Sequence, residues 1–124
     1  MATVLIVEDD FDVHGPVRSL IRNAGYETLS AYSLTEAKAI ISSDADFDLV
    51  FTDIDLGDHR EGGIEVGIAT VSARSKTPVL YTSGRELTPR LRSLLRGQSA
   101  FLVKPYNGND VLSQISRLLG AETT

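Results

Sequence analysis

Residues 4–10 read Val4-Leu5-Ile6-Val7-Glu8-Asp9-Asp10, an apolar run that stops abruptly at three carboxylates. An unbroken apolar run of this length is typical of a strand that is buried on both faces, as in a parallel sheet. The carboxylates therefore lie where the strand ends. In open α/β sheets that edge is where ligands bind. This stretch predicts both a sheet and the edge at which a site is expected.

Four further strand-like runs follow, and apolar residues at helical spacing separate each from the next. The predicted strands cover 4–7, about 27–31, 49–52, 79–82 and 101–103. Ser33 with Glu36 forms a capping-box pair, and Thr88-Pro89 is typical of a helix cap and first residue. Alternating strands and helices require right-handed crossovers. We therefore predict a (βα)5 doubly wound parallel sheet of five strands in the flavodoxin-like order 2-1-3-4-5.

Details of four helices follow from the same pattern. Pro16 is expected near the start of the first helix, where a missing N–H is best tolerated. Ile64, Ile68 and Val71 mark the third helix. Gly97 is predicted to end the fourth, and the last helix stops near residue 120.

Length and composition bound the class of protein. The 124 residues suit one domain over residues 1–124, and we expect either a stand-alone protein or an excised domain. The net charge of -5 argues against direct binding to nucleic acid, which needs clustered Lys and Arg. Short apolar runs and the absence of a signal peptide predict no membrane contact. The lack of cysteine fits a reducing compartment, so we expect a cytoplasmic protein.

Polar residues at four strand ends form the candidate site: Glu8-Asp9, Asp53, Ser83 and Lys104. In the predicted order the switch point lies between strands 1 and 3, which carry the three acids. One acid after a strand is often a turn or cap residue, but their convergence favours a site. Three adjacent carboxylates repel unless a cation bridges them, and Mg²⁺ suits oxygen ligands.

Other metals have few candidate ligands here. His14 and His59 are expected at the surface, in a helix start and a Gly-rich loop, which leaves little for zinc. An aspartate beside Mg²⁺ can act as a nucleophile toward phosphorus, and Asp53 ends the central strand. Lys104 and Ser83 can donate to the phosphoryl oxygens.

Four motifs follow one another in the chain. They are Val4-Leu5-Ile6-Val7-Glu8-Asp9-Asp10, Asp48-Leu49-Val50-Phe51-Thr52-Asp53, Pro78-Val79-Leu80-Tyr81-Thr82-Ser83-Gly84 and Phe101-Leu102-Val103-Lys104-Pro105. In order and spacing they resemble the motifs of response-regulator receiver domains, over almost the whole length. The resemblance implies a regulatory phosphoacceptor domain in a two-component phosphorelay.

The resemblance also implies roles for individual residues. A histidine kinase or a histidine phosphotransfer protein would donate a phosphoryl group to Asp53. Asp9 and Asp53 would bind Mg²⁺ directly, Glu8 largely through water, and Asp55 through its backbone carbonyl. The phosphotransfer partner would dock near the first helix, where Phe11 and Val13 flank the acidic pair.

The switch residues are implied in the same way. Ser83 would be the switch hydroxyl, with Thr82 as the alternative, and phosphorylation would draw it toward the phosphoryl group. Phe101 would then move inward. The surface formed by helix 4, strand 5 and helix 5 would report the change to a downstream protein.

The chain departs from the family between residues 56 and 63, where the loop is longer, lacks proline and ends in two glycines. Asp55 and Arg85, each two residues past a motif residue, could tune the access of water to the acyl phosphate. Arginines cluster near helix 4 at positions 85, 90, 92 and 96. They form either a face for an acidic partner or a solvated helix surface.

Two alternatives come from other classes. Asp53-Ile54-Asp55 after an apolar strand resembles the Asp-x-Asp signature of small haloacid-dehalogenase-like phosphatases. That signature normally ends the first strand, however, and an acidic pair should follow the lysine. A flavodoxin-like binding module is the other alternative, but the acidic turn at residues 9–12 would repel a phosphate. A receiver domain fits best.

Overall fold

The computed structural model describes residues 2–120, in which strands and helices alternate strictly. The strands are Thr3–Val7 (β1), Glu27–Ala31 (β2), Leu49–Asp53 (β3), Val79–Ser83 (β4) and Ser99–Val103 (β5). The helices are Phe11–Asn23 (α1), Leu34–Ser42 (α2), Gly62–Ala73 (α3), Pro89–Leu94 (α4) and Gly108–Gly120 (α5). The strands form one parallel sheet in the order β2-β1-β3-β4-β5, which confirms the predicted topology. None of these helices has the length and apolar character needed to cross a bilayer.

Two apolar cores lie on opposite faces of the sheet, because successive side chains of a strand point to opposite sides. The strand residues that pack under α2 and α3 include Leu5, Val7, Val50, Val79 and Tyr81. Those that pack under α1 and α5 include Val4, Ile6, Leu49, Phe51 and Leu80. Both faces of the central strands are therefore covered, as their continuous apolar sequences predict.

Two predicted caps are confirmed, and two helix boundaries are corrected. Ser33 Oγ accepts from the N–H of Glu36, and Thr88 Oγ1 caps α4. α4 ends at Leu94 rather than at Gly97, because the chain after Leu94 turns into extended backbone. Pro16 is the sixth residue of α1. It therefore lies beyond the first turn, where backbone N–H groups have no partner within the helix and a missing one removes no hydrogen bond.

The buried face of α3 is made of glycines as well as large apolar residues, and it differs from the predicted stripe. Ile68 is 42% exposed, whereas Gly63 and Gly67 face the sheet. A Cβ on Gly67 would lie 1.8 Å from Tyr81 Oη, and one on Gly63 would lie 2.0 Å from the carbonyl oxygen of Asp53. The glycines let α3 approach β3 and β4 closely, and a stripe read from large side chains alone misses this face.

Candidate functional site

The carboxyl ends of β1 and β3 bring the three predicted acids together. β1 and β3 are neighbours, with Val7 opposite Thr52, so Glu8 and Asp53 emerge side by side. Glu8, Asp9 and Asp53 each have one carboxylate oxygen that lies within 4.8 Å of such an oxygen on the other two residues. Glu8 and Asp53 are only 3% and 8% exposed. The predicted convergence at the switch point is therefore present.

Lys104 contacts two of these acids from the end of β5. Its Nζ lies 3.2 Å from Asp53 Oδ2 and 3.3 Å from Glu8 Oε1. The backbone N–H of Lys104 donates to the carbonyl oxygen of Ser83 at 2.8 Å, and the Lys104-Pro105 peptide bond is cis. The ammonium thus reaches across β4 to balance part of the negative charge at β1 and β3.

Burial and neighbouring charges shift the pKa values of Glu8, Asp53 and Lys104. Burial, followed by the charge of Asp53, raises the pKa of Glu8 to about 7 against a partial opposing effect of Lys104. Burial also raises the pKa of Asp53, with Lys104 opposing and Asp9 and Asp55 adding to the shift. Burial lowers the pKa of Lys104, but the two carboxylates outweigh it and the net shift is upward. The site carries more negative charge than one lysine can neutralise.

The free oxygens at this edge suit a hard divalent cation. Lys104 contacts one oxygen of Asp53, and neither Asp53 Oδ1 nor the Asp9 carboxylate accepts a hydrogen bond from residues 2–120. The carbonyl oxygen of Asp55 is likewise without a donor among those residues. Oxygen ligands supplied by one or two carboxylates and a carbonyl, with room for water, match the preference of Mg²⁺.

The two candidate switch hydroxyls have different surroundings. Ser83 is fully buried, and its Oγ accepts a hydrogen bond from the N–H of Arg85 at 3.0 Å. Thr82 is also fully buried, lies opposite Asp53 in the β3–β4 ladder, and its Oγ1 has no hydrogen-bond partner among residues 2–120. Neither hydroxyl bonds to the Asp53 carboxylate in this arrangement, so both remain candidates.

Phe101 lies in β5 opposite Tyr81 of β4 and is partly buried. With Leu87 and Leu95 it contributes apolar surface to an open cavity of about 390 Å³ between α4, β5 and α5. The predicted readout surface therefore contains a depression beside the aromatic residue that is expected to move.

The loop between β3 and α3 is held by contacts that sequence reasoning missed. Asp55 forms an ion pair with Arg85, at 3.1 Å between Oδ1 and Nη2. Glu61 forms a second with Arg90, at 2.7 Å. Two of the four clustered arginines are therefore paired within the chain rather than free for an acidic partner. No local signal near Glu61 predicts this, because its partners are 24 and 29 residues away.

The predicted surface position of His14 is wrong, whereas His59 is exposed as expected. His14 is 1% exposed, and its Nδ1 donates to the carbonyl oxygen of Glu8 at 2.9 Å. Its Nε2 lies 2.9 Å from Ser30 Oγ, and burial lowers its pKa. A signal was present, because His14, Val17 and Ile21 share helical spacing and form the buried face of α1.

Comparisons with known proteins identify the family of this chain. The model of the response regulator receiver domain matches residues 4–116. The chain is 30% identical over 122 residues to the sensory transduction protein RegX3 of Mycobacterium tuberculosis, covering 96% of this chain and 51% of RegX3. The curated relatives are longer, and the chain spans between 22% and 51% of their lengths.

Solved receiver structures superimpose on almost the whole chain. A CheY-like receiver protein from Methanospirillum hungatei gives a TM-score of 0.89 at 26% identity, covering 99% of this chain and 97% of that one. The receiver domain of the hybrid histidine kinase CckA gives 0.78 at 25% identity, covering 95% and 99%. Since the family match includes both the acidic strand ends and the lysine that contacts them, the chain belongs to the response regulator receiver domains, regulatory domains of two-component signalling.

Proposed function

We propose that this receiver accepts a phosphoryl group on Asp53 from a phosphohistidine of a histidine kinase or a histidine phosphotransfer protein. The observation that carries the proposal is the contact of Lys104 Nζ with both Asp53 and Glu8 at the switch point of the sheet. A carboxylate can attack phosphorus once nearby positive charge offsets the repulsion between the two anions. The kinase-linked receiver of CckA supports this class of donor.

The transfer requires few groups from the protein. Asp53 Oδ1, which accepts no hydrogen bond from the described residues, would attack phosphorus as the P–N bond to the donor imidazole breaks. The imidazole leaves with the bonding electron pair and takes up a proton. Lys104 remains beside Asp53 and balances charge on the transferred group. The product is an acyl phosphate on Asp53 and a neutral donor histidine.

Magnesium is the proposed cofactor. Asp9 and Asp53 would hold Mg²⁺ directly, Glu8 largely through water, and Asp55 through its carbonyl oxygen. When bound, the ion supplies positive charge to the phosphoryl oxygens. The residues themselves align the acceptor and exclude bulk water, because Glu8 and Asp53 are almost fully buried.

The donor is proposed to dock beside α1. Phe11 directly follows the acidic turn, is 72% exposed, and its ring lies 4.8 Å from that of Tyr32. A large apolar residue so exposed next to a reactive carboxylate suits a contact with a partner. Val13, also expected to flank the docking site, packs mainly against the core under α1, so Phe11 carries this part of the proposal.

Phosphorylation is proposed to draw Ser83, or alternatively Thr82, toward the phosphoryl group. Phe101 would then move inward and change the α4, β5 and α5 surface that a downstream protein reads. The cavity beside Phe101 provides space for a different position of its ring.

The test is incubation with acetyl phosphate and Mg²⁺, followed by intact-mass measurement. Wild-type protein should gain the mass of one phosphoryl group, and Asp53→Asn should not. Asp58→Asn is the matched control, because Asp58 is an exposed aspartate of the following loop. Phosphorylation of the Asp53→Asn protein would refute the acceptor. Steady turnover of added phosphoesters would favour the phosphatase alternative.

A further inference from the structure

Four charged side chains connect the loop before α3 to the segment that contains α4. Arg85 Nη2 and Nε lie 3.1 and 3.2 Å from the two carboxylate oxygens of Asp55. Arg90 binds both oxygens of Glu61, at 2.7 and 2.8 Å, and Arg85 Nη2 also lies 3.4 Å from Glu61 Oε2. We call Asp55, Glu61, Arg85 and Arg90 the ion-pair cluster. Glu61 and Arg85 are its centre, because each contacts two members of opposite charge.

Glu61 is held in an unusual conformation. Its backbone lies in the left-handed region, with φ 62° and ψ 24°, although it is not a glycine. Its N–H donates to Asp55 Oδ1 at 2.9 Å, and its side chain is only 16% exposed. Hydrogen bonding from Arg90 holds the pKa of Glu61 down at about 2. A non-glycine residue keeps such a backbone only where its surroundings favour it, and here the ion pairs do.

The ion-pair cluster is joined to the candidate switch hydroxyl through Arg85. The backbone N–H of Arg85 donates to Ser83 Oγ, while its guanidinium binds Asp55 and Glu61. Any shift of the Ser83 hydroxyl therefore acts on the residue whose side chain ties the two loops. A phosphoryl group adds about two negative charges near Asp55, and so offers the guanidinium a competing anion.

α4 has few other contacts that would fix its position. It is six residues long, and Leu91 is its one fully buried residue. A helix this short is not stable alone and depends on its tertiary contacts. The bidentate pair between Arg90 and Glu61 is thus a substantial part of what orients it.

We propose that the ion-pair cluster holds α4 in place while Asp53 is unphosphorylated, and that movement of Ser83 toward a phosphoryl group displaces Arg85 and opens the cluster. The second half rests on the proposed function of Asp53. The first half concerns the unmodified protein and can be tested without a phosphodonor.

The test compares amide NMR spectra of wild type, Glu61→Gln and Glu65→Gln. Glu65 is the matched control, because it lies on α3 and forms one exposed ion pair, with Lys38. Without donor, the amide signals of residues 90–94 in Glu61→Gln should shift from their positions in wild type, and those of Glu65→Gln should not. Unchanged α4 signals in Glu61→Gln, or equal changes in both variants, would overturn the proposal.

A second pair of variants covers the case in which Glu61→Gln does not fold. Arg90→Gln should speed amide hydrogen exchange within α4 by about fivefold, the factor expected for loss of one good ion pair. Arg92→Gln, whose side chain has no ion-pair partner among residues 2–120, should leave that exchange unchanged. Equal exchange in wild type and Arg90→Gln would overturn the holding role.

Failure of the two proposals can be told apart. If wild type gains no mass with acetyl phosphate and Mg²⁺, the function proposed for Asp53 fails and the opening step fails with it. The donor-free comparison still decides whether the ion-pair cluster holds α4. If wild type is phosphorylated but Arg85 and α4 signals stay unchanged, only the further inference is overturned.

Discussion

Raising the pH from about 5 to about 8 in the absence of Mg²⁺ should destabilise the folded protein. Burial and the neighbouring Asp53 raise the pKa of Glu8 from 4.5 to about 7. In the unfolded chain Glu8 recovers its ordinary value, so between these values the folded state keeps a proton that the unfolded state has lost. The contribution of Glu8 to the free energy of unfolding must then fall as the pH rises. His14, whose pKa is lowered by burial, contributes in the opposite direction, and comparison with a Glu8 variant removes that contribution.

The size of the effect follows from the same two values. The difference between 4.5 and about 7 corresponds to roughly 3 kcal/mol, at about 1.4 kcal/mol for each pKa unit. The loss of stability should begin near pH 4.5 and be complete above about pH 7. The proposed Mg²⁺ would bind the ionised carboxylates, and at a hundred times its Kd it would restore about 2.7 kcal/mol. Added Mg²⁺ should therefore stabilise the protein far more at high pH than at low pH.

The measurement is urea unfolding across this pH range, with EDTA or with Mg²⁺. Glu8→Gln is the control, because glutamine has the same shape as the protonated carboxyl and does not titrate. Wild type and variant should be similarly stable near pH 5, and without Mg²⁺ the variant should be the more stable by roughly 3 kcal/mol near pH 8. Glu61 does not interfere, since its pKa of about 2 keeps it ionised throughout. Parallel pH profiles for the two proteins would refute the reasoning.

Three further predictions test the site and its support. Lys104→Ala should still bind Mg²⁺ in a titration, because the proposed ligands are carboxylates. Its amide shifts on phosphorylation should be lost, and shifts like those of wild type would contradict this prediction. Gly63→Ala should lower the free energy of unfolding by about 1–3 kcal/mol, because its Cβ would overlap a backbone oxygen. Gly84→Ala, with no atom beyond its chain neighbours within 4 Å, should instead change it by less than about 1 kcal/mol in the same urea assay, and equal effects would exclude the steric explanation. Thr82→Val should change the free energy of unfolding by less than about 1 kcal/mol and should keep the amide shifts that phosphorylation causes. Ser83→Ala should lose those shifts, and the reverse pattern would make Thr82 the switch.

The topology and the acidic edge could be predicted because their signals are local. Val4 to Val7 is apolar without a break, and the acids follow immediately, so strand and strand end are both visible within seven residues. The same holds for the caps at Ser33 and Thr88. The helical spacing of His14 with Val17 and Ile21 is local as well. A polar residue at the start of a helix is more often exposed than buried, however, and the prediction followed that rule.

Positions that depend on distant partners could not be predicted in this way. Arg90 lies 29 residues from Glu61, and Arg85 lies 30 residues from Asp55, yet each pair is in contact. Gly67 counts as a break in an apolar stripe until Tyr81 is seen packed against it.

The amino-acid sequence by itself therefore determined the order of strands and helices and the edge where the carboxylates gather, because periodicity and caps depend on neighbouring residues. Only the tertiary structure decided which charges pair, which histidine is buried and which face of α3 meets the sheet. The physical reason is that the energy of a charged or polar group depends on its burial and on its partner, and other elements of the fold supply both.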